Sequence, residues 1–404
     1  MKIQKSPILI FLGNTFATTV ARGISLPFMS IYLASNLKLP LGIVGAILTA
    51  SLFISISFNF FSGYLADKYN KIFVMFACML FFSFNLFVIP MISKAWIMIF
   101  ILSLIYISNG TLNITVKACI ADWVSSEQRP QIFSLNYTLS NAGWAIGAPI
   151  GVMAAKLNLT IPFYLSGGIS FSMLIFLIFF LHSKRYFKNN TNSNNPPPSI
   201  NFFETLNILF KDHILIYFTI GSFFMSLIFS QSSSYISQYL LSVYDADFAY
   251  KILGVITPVN ASLVILLQYI ISKKLHKKNL LLSLSLGALM FTIGIVGFWI
   301  AGKSILIWII AMIFFTFGEI IVIPIEYIFI DCIAPENLKG SYYGVQNFRY
   351  LGGALSPIMA GFILSYATPT ALFSTLIIAI FFSLLFYFIG YNDLKKINRF
   401  GEFD

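Results

Sequence analysis

Five ionisable side chains stand inside long apolar runs of this sequence: Arg22, Lys117, Glu319, Glu326 and Arg349. A charge left alone at membrane depth costs at least about 2.5 kcal/mol, so such a residue is paired, carries a proton or ion, or meets a charged ligand. Glu319 lies twelve residues before Asp331, and Arg349 ten after Lys339. At about 1.5 Å per residue both sit some 15 to 18 Å from those ends of their helices, and they are expected to be neighbours. Burial and a nearby cation act on a carboxylate in opposite senses, so Glu319 moving between such surroundings suits proton coupling, with Arg349 and Glu326 as further candidates. The alternative is a static ion pair that joins two helices. Arg22 has no acidic residue in its own run. It either binds a carboxylate or phosphate of a substrate or pairs with a Glu of another helix. Asn109, Asn113, Asn141, Gln231, Gln238 and Gln346 are the uncharged candidates for a substrate cavity, and helix–helix hydrogen bonding accounts for them equally well.

The elements that position these groups follow from hydropathy. The 404 residues are 58% hydrophobic and 10% charged, and mean hydropathy is +0.86. Apolar runs of membrane-crossing length fall near 7–34, 41–66, 72–92, 95–119, 131–155, 160–182, 213–242, 250–272, 279–300, 304–330, 341–366 and 370–391. The alternating ten-residue segments of a membrane barrel do not occur, so the chain reads as an all-α membrane protein of twelve transmembrane helices. The first run is longer than the apolar part of a signal peptide and is read as the first span.

A net charge of +11 does not point to nucleic acid, because the basic residues lie in short loops between apolar runs. Of the 25 Lys and Arg, three are intramembrane and five (Lys38, Lys94, Lys156, Lys251 and Lys303) fall in one set of loops, leaving seventeen on the side of both termini. The positive-inside rule then places both termini in the cytoplasm of a bacterial inner membrane. The polar segment from Ser183 to Asp212, with NNTNSNNPPPS, divides the chain into six-helix bundles at 1–182 and 213–404, joined by a linker at 183–212. Within it, Phe202–Phe210 is read either as an amphipathic surface helix or as the start of the seventh span.

Cys78, Cys119 and Cys332 have neither pairing nor metal spacing, and His182, His213 and His276 lie at span ends. No metal, cofactor or enzymatic centre is expected.

The halves repeat at a nearly constant offset. FMSIYL at 28–33 recurs as YISQYL at 235–240, ADWVSSEQR at 121–129 as IDCIAPENLK at 330–339, and the Pro of NAGWAIGAPIG at 141–151 in LGGALSPIMAG at 351–361. A parallel repeat of two six-helix halves is how many secondary transporters achieve alternating access.

GYLADKYNK at 63–71 resembles the signature loop of the major facilitator superfamily. Gly63, Asp67, Lys68 and Lys71 match; Asn70 replaces a second Gly, and Ile72 a final basic residue. Asn tolerates the left-handed region better than most residues, which is how the replacement is expected to be accommodated. The resemblance implies the major facilitator fold, two pseudo-symmetric six-helix bundles, and a cytoplasmic gate in which Asp67 helps to lock the halves. Lys68, Lys71, Lys117, Asp122, Arg129 and Asp331 are assigned to the same gate. The matching loop of the second half, ISKKLHKKN, has no acidic residue, so the lock is expected to be asymmetric. Gly143, Gly147, Pro149 and Gly151 resemble the Gly/Pro helix-packing motif of antiporters in the family, with Ala148 between the usual Gly and Pro. The motif's other meaning is plain close packing of two helices. ARGISLPFMSIYL, TPVNASLVILLQY and FGEIIVIPIEYIFIDCIAPE resemble the enterobacterial multidrug and peptide exporter branch. Tyr106 stands where many proton-coupled exporters of the family carry an Arg, which leaves coupling to other residues.

The function expected from the sequence is a secondary active transporter, a monomer in the lipid bilayer that exports a small molecule in exchange for protons. A nutrient importer on the same scaffold is the alternative, and a membrane solute sensor a remote one. The topology has a direct check. A reporter active only in the cytoplasm should report when fused near Asn192 or after Asp404 and be silent near Asp245; a silent Asn192 fusion contradicts the six-plus-six arrangement.

Overall fold

The computed structural model describes residues 5–39, 41–125, 127–183, 201–230, 232–275 and 279–396. Gln231, most of the linker (184–200) and the tail (397–404) lie outside the described residues. Sixteen α-helices and no strand occur among the described residues.

In the first half these are α1 (Lys5–Ser25), α2 (Met29–Ser35), α3 (Leu41–Lys68), α4 (Lys71–Val88), α5 (Ala95–Trp123), α6 (Arg129–Leu157) and α7 (Ile161–Ser183). The second half has α8 (Phe202–Lys211), α9 (His213–Phe229), α10 (Ser232–Val243), α11 (Ala246–Ser272), α12 (Leu280–Ile300), α13 (Ile305–Ile333), α14 (Lys339–Gln346), α15 (Tyr350–Tyr366) and α16 (Pro369–Lys396). Joining α1 with α2, α9 with α10 and α14 with α15 across short breaks, and setting α8 aside, gives twelve rods in register with the twelve apolar runs.

Among the described residues, nine helices are long and apolar enough by themselves to cross a membrane. The rods outside that set are α6, α9 with α10, and α14 with α15. Each is polar or interrupted: α6 carries Gln131, Asn136 and Asn141, and a 3-10 turn at Asn347–Arg349 separates α14 from α15. Polar spans survive in a membrane where neighbouring helices meet their polar groups.

Local capping sets several boundaries. Asn70, expected to be left-handed, has φ −58° and instead caps α4, its side chain accepting from the Ile72 amide at 2.9 Å. A Gly is therefore not required there: the loop turns into α4 by side-chain capping, at which Asn is among the best residues. Asn201 and Glu204 form a reciprocal cap on α8, with Phe202 N donating to Asn201 and Asn201 N to Glu204. The segment Phe202–Phe210 is thus a helix distinct from α9, to which it is bent by 76°.

The chain forms two compact units. The first takes in residues 1–125, 135–207 and 335–344; the second takes in 126–134, 208–334 and 345–404. Segments 126–134 and 335–344 are repeat equivalents at the offset of 209, and each belongs to the unit built mainly from the other half. In the first unit α3 packs on α5, α4 on α5 and α7, and α1 on α7, around Tyr32, Phe82, Leu86, Met98, Leu102 and Phe163. Phe202 of α8 seats against Phe61 and Tyr64, at 5.6 and 5.2 Å between rings. In the second unit α12 lies along α13, with Gly294 under Phe315 and Gly318 under Phe291, and Phe218 stacks on Phe329 at 3.9 Å.

Between membrane helices the attraction is close van der Waals contact rather than burial from water, which is why small residues gather there. Gly143, Gly147 and Gly151 show this on one face of α6, with a Cβ at Gly143 falling 2.8 Å from the Thr19 Cβ of α1. Pro149, on the same helix, is exposed on another face. Gly143→Val is therefore expected to destabilise the protein by about 1–3 kcal/mol through overpacking, seen as a lowered midpoint of thermal unfolding in detergent, whereas Pro149→Ala should leave that midpoint nearly unchanged.

Candidate functional site

In the first unit the Asp67 carboxylate meets the start of α14. The backbone amides of Gly340 and Ser341 and the Ser341 hydroxyl each donate to the Asp67 carboxylate at 2.6 Å. A carboxylate at the N-terminus of α14 meets the orphan amides of the first turn and the positive end of the helix dipole together. Three glycines admit the contact: a Cβ on Gly63 would fall 2.5 Å from the Gly340 carbonyl, one on Gly340 2.7 Å from Asp67, and one on Gly344 2.5 Å from the Asn59 carbonyl. The backbones of α3 and α14 thus touch with no side chain between them.

The other expected gate residues gather nearby. Lys71 pairs with Asp122 at 2.9 Å, Lys68 donates to the Tyr64 hydroxyl at 2.8 Å, and buried Lys117 lies 6.0 Å from the Tyr343 ring. The second unit holds its exchanged segment by a different device, Arg129 donating to the buried carboxylate of Asp331 at 2.6 Å. One segment is held by a carboxylate on a helix N-terminus and the other by an ion pair, so the two attachments are unlike despite the repeat.

The interior of the second unit contains a closed ion pair. Arg349 donates to Glu326 and, at 3.0 Å, to the Tyr327 hydroxyl; Tyr387 donates to the second Glu326 oxygen at 2.6 Å. All four side chains are buried. Arg349, expected beside Glu319, is engaged by Glu326 instead. Helical side chains lean toward their own N-termini. On antiparallel α13 and α15 this brings Glu326 and Arg349 toward one another and carries Glu319, about 10 Å farther along α13, away. Counting residues from the helix ends missed that lean, and it missed the 3-10 turn in which Arg349 sits.

Glu319 lies five residues before Pro324, with its carboxylate accepting from the Asn260 side-chain amide at 2.8 Å; the same amide reaches the Thr316 hydroxyl at 3.1 Å. The three acidic side chains of α13 thus meet different groups: Glu326 a guanidinium and a phenol, Asp331 the guanidinium of Arg129, and Glu319 the side-chain amide of Asn260.

Of the uncharged cavity candidates, Asn109, Asn113, Asn141 and Gln238 are half-buried. Asn113 and Asn141 donate to the carbonyls of Asn109 and Tyr137, one turn back. Gln346 is buried with neither side-chain polar atom bonded. Arg22 lies 5.4 Å over the Trp144 ring. Gly340, Ser341, Asn260, Tyr327, Tyr387 and Trp144 are contributors that reading the charges did not single out. The Lys339-Gly-Ser start of a helix was the signal for the first two, and the tyrosines left none in a chain with 20 of them.

The Major Facilitator Superfamily pattern matches residues 11–357. An MFS-type transporter of Escherichia coli K12, YdeE, is 35% identical over 370 residues, covering 91% of each chain. A Na(+), Li(+), K(+)/H(+) antiporter of Planococcus maritimus is 24% identical over 366 residues, covering 82% of this chain and 83% of its own. The structure of the proton:xylose symporter XylE superimposes with a TM-score of 0.72 at 12% identity, over 95% of this chain and 96% of the other.

The Glu326 pair has a stability consequence. Glu326→Gln leaves Arg349 buried without its counter-charge and is expected to cost about 3–5 kcal/mol. Fluorescence-detected size exclusion of solubilised membranes should show a sharply reduced monodisperse peak.

Proposed function

Because the chain belongs to the Major Facilitator Superfamily, a family of multi-pass membrane transporters and not of enzymes, we propose that it is a proton-coupled exporter of a small molecule, working by alternating access in the bacterial inner membrane with both termini in the cytoplasm. The observation that carries the reading is the contrast on α13. Glu326 is tied to a fixed cation, whereas Glu319 faces the neutral amide of Asn260. Protonating a carboxylate locked to an arginine strands that buried positive charge, whereas the Asn260 amide is a neutral donor to Glu319 whether or not Glu319 is ionised. Glu319 is therefore the proton carrier, and the Glu326–Arg349 pair holds α13 to the 3-10 turn that leads into α15.

Exchange against protons is supported by the relative named as a cation/H(+) antiporter. Asp67 and the N-terminus of α14 form the latch of one conformational state. Breaking three charge-assisted hydrogen bonds at once makes its release an all-or-none step. Asp67→Asn puts an amide donor among amide donors. It is expected to leave the protein in the membrane at normal levels while lowering transport severely.

Glu319→Gln separates the proposal from a purely structural role. Reconstituted protein carrying it should lose pH-driven uphill efflux and keep substrate-for-substrate exchange, because exchange needs no net proton transfer. Loss of both modes together with the folded protein makes Glu319 structural, and persistence of both at wild-type rates removes it from coupling. Flux in oriented vesicles decides direction: substrate accumulation inside inverted vesicles fits export, and accumulation inside right-side-out vesicles fits the importer alternative.

A further inference from the structure

We propose that α8 is an in-plane anchor seated in the headgroup layer of the membrane, with Phe203 and Phe210 in lipid and with Lys68 and Lys211 meeting anionic headgroups. The proposal does not rest on the coupling reading above.

Direction and depth point to that layer. α8 is bent by 76° from α9, so where α9 enters the bilayer α8 runs along its surface. Phe202 packs on Phe61 and Tyr64 of α3, which stand seven and four residues before the end of the membrane-length stretch Ala46–Lys68. At about 1.5 Å per residue the seat is about 6–10 Å inside that end. An interfacial helix buries its apolar face about 5–10 Å into the boundary of headgroups and acyl chains, so the two depths agree.

The faces of α8 are sorted for such a place. Thr205 and Leu209 are buried and Phe202 and Leu206 half-buried, all on one face, which is turned to the protein. Glu204, Asn207 and Lys211 are exposed on the opposite face. Phe203 and Phe210, about 20° apart around the axis, lie between those faces and are 75% and 59% exposed, so neither is seated on the protein. Held sideways in water, two phenylalanines are costly. At the rim of a bilayer that direction is lipid.

Charge selects the kind of lipid. From 183 to 212 the sequence has Lys184, Arg185, Lys188 and Lys211 against Glu204 and Asp212. Both acidic side chains serve as helix caps, Glu204 accepting from the Asn201 amide and Asp212 from the Leu215 amide. Lys68, beside the Phe202 seat, is exposed; it donates to the Tyr64 hydroxyl and lies 5.1 and 5.8 Å from the rings of Tyr64 and Tyr69. A lysine stem laid on tyrosine rings with its ammonium outward is suited to the phosphate level of a membrane. Basic side chains around an amphipathic helix favour anionic over zwitterionic headgroups.

The test puts one fluorescent label on the full-length protein through Phe203→Cys, Phe210→Cys or Asn207→Cys, with Cys78, Cys119 and Cys332 replaced by Ala, in vesicles of equal parts phosphatidylcholine and phosphatidylglycerol. Acyl-chain nitroxide lipid should quench the labels at 203 and 210 at least about twofold more than the label at 207, and aqueous iodide should show the reverse order. Nitroxide carried on phosphatidylglycerol should quench at 203 more than the same nitroxide on phosphatidylcholine. Lys68→Gln together with Lys211→Gln should abolish that difference and keep the depth order. Labels at 203 and 210 that are open to iodide place α8 in water and overturn the proposal. Shielding from both quenchers also overturns it, because the face is then covered by another part of the chain or by a protein partner. Equal quenching by the two lipids, or a preference that survives both lysine substitutions, contradicts the anionic headgroup. Should the cysteine-free chain fail to fold, p-benzoylphenylalanine at position 203 of the otherwise native chain decides: a photo-adduct with phosphatidylglycerol supports the anchor, and one with this chain or another protein overturns it.

Discussion

A charge among apolar helices has to be met by a partner, because the cost of leaving it alone is a large fraction of a protein's net stability. The manner in which each buried charge is met sorts the helices of this transporter by role. Glu326 is met by Arg349 and Tyr387, which ties α13 to the 3-10 turn before α15 and to α16. Asp67 is met by backbone amides, which ties α3 to the first turn of α14 without a counter-ion. Glu319 accepts from the side-chain amide of Asn260. In the proposed cycle the carboxylate against a guanidinium is the fixed joint, the one against a helix N-terminus the joint that opens, and the one beside the Asn260 amide the proton carrier.

The small residues follow from the same constraint. Asp67 reaches the α14 amides only because Gly63, Gly340 and Gly344 let two backbones touch. The polar rods α6, α9 with α10, and α14 with α15 also belong here. Their polarity and breaks make them poor membrane helices in isolation, and the bundle supplies partners that the lipid cannot.

Much of this was legible in the sequence. The apolar runs gave the twelve rods, the GYLADKYNK loop gave Asp67 its place, and the repeat paired the equivalent segments. Pairing of the acids with particular partners was not legible, because it depends on the lean of side chains between antiparallel helices and on the 3-10 turn at Asn347–Arg349. Asn70 shows the same limit locally: a residue that tolerates the left-handed region served as a helix cap. The contribution of Trp144 was hidden because contact between α1 and α6 arises only once the glycines of α6 bring the helices together.

The central claim is that Glu319 of α13 titrates while Glu326 stays ionised against Arg349. Infrared difference spectroscopy on the reconstituted protein, following the carboxylic-acid C=O stretch as pH is swept, tests it without any substrate. The account predicts a reversible buried carboxyl signal that is absent in Glu319→Gln and present in Asp67→Asn. A signal that persists in folded Glu319→Gln, or that disappears instead with Tyr387→Phe beside Glu326, would contradict it.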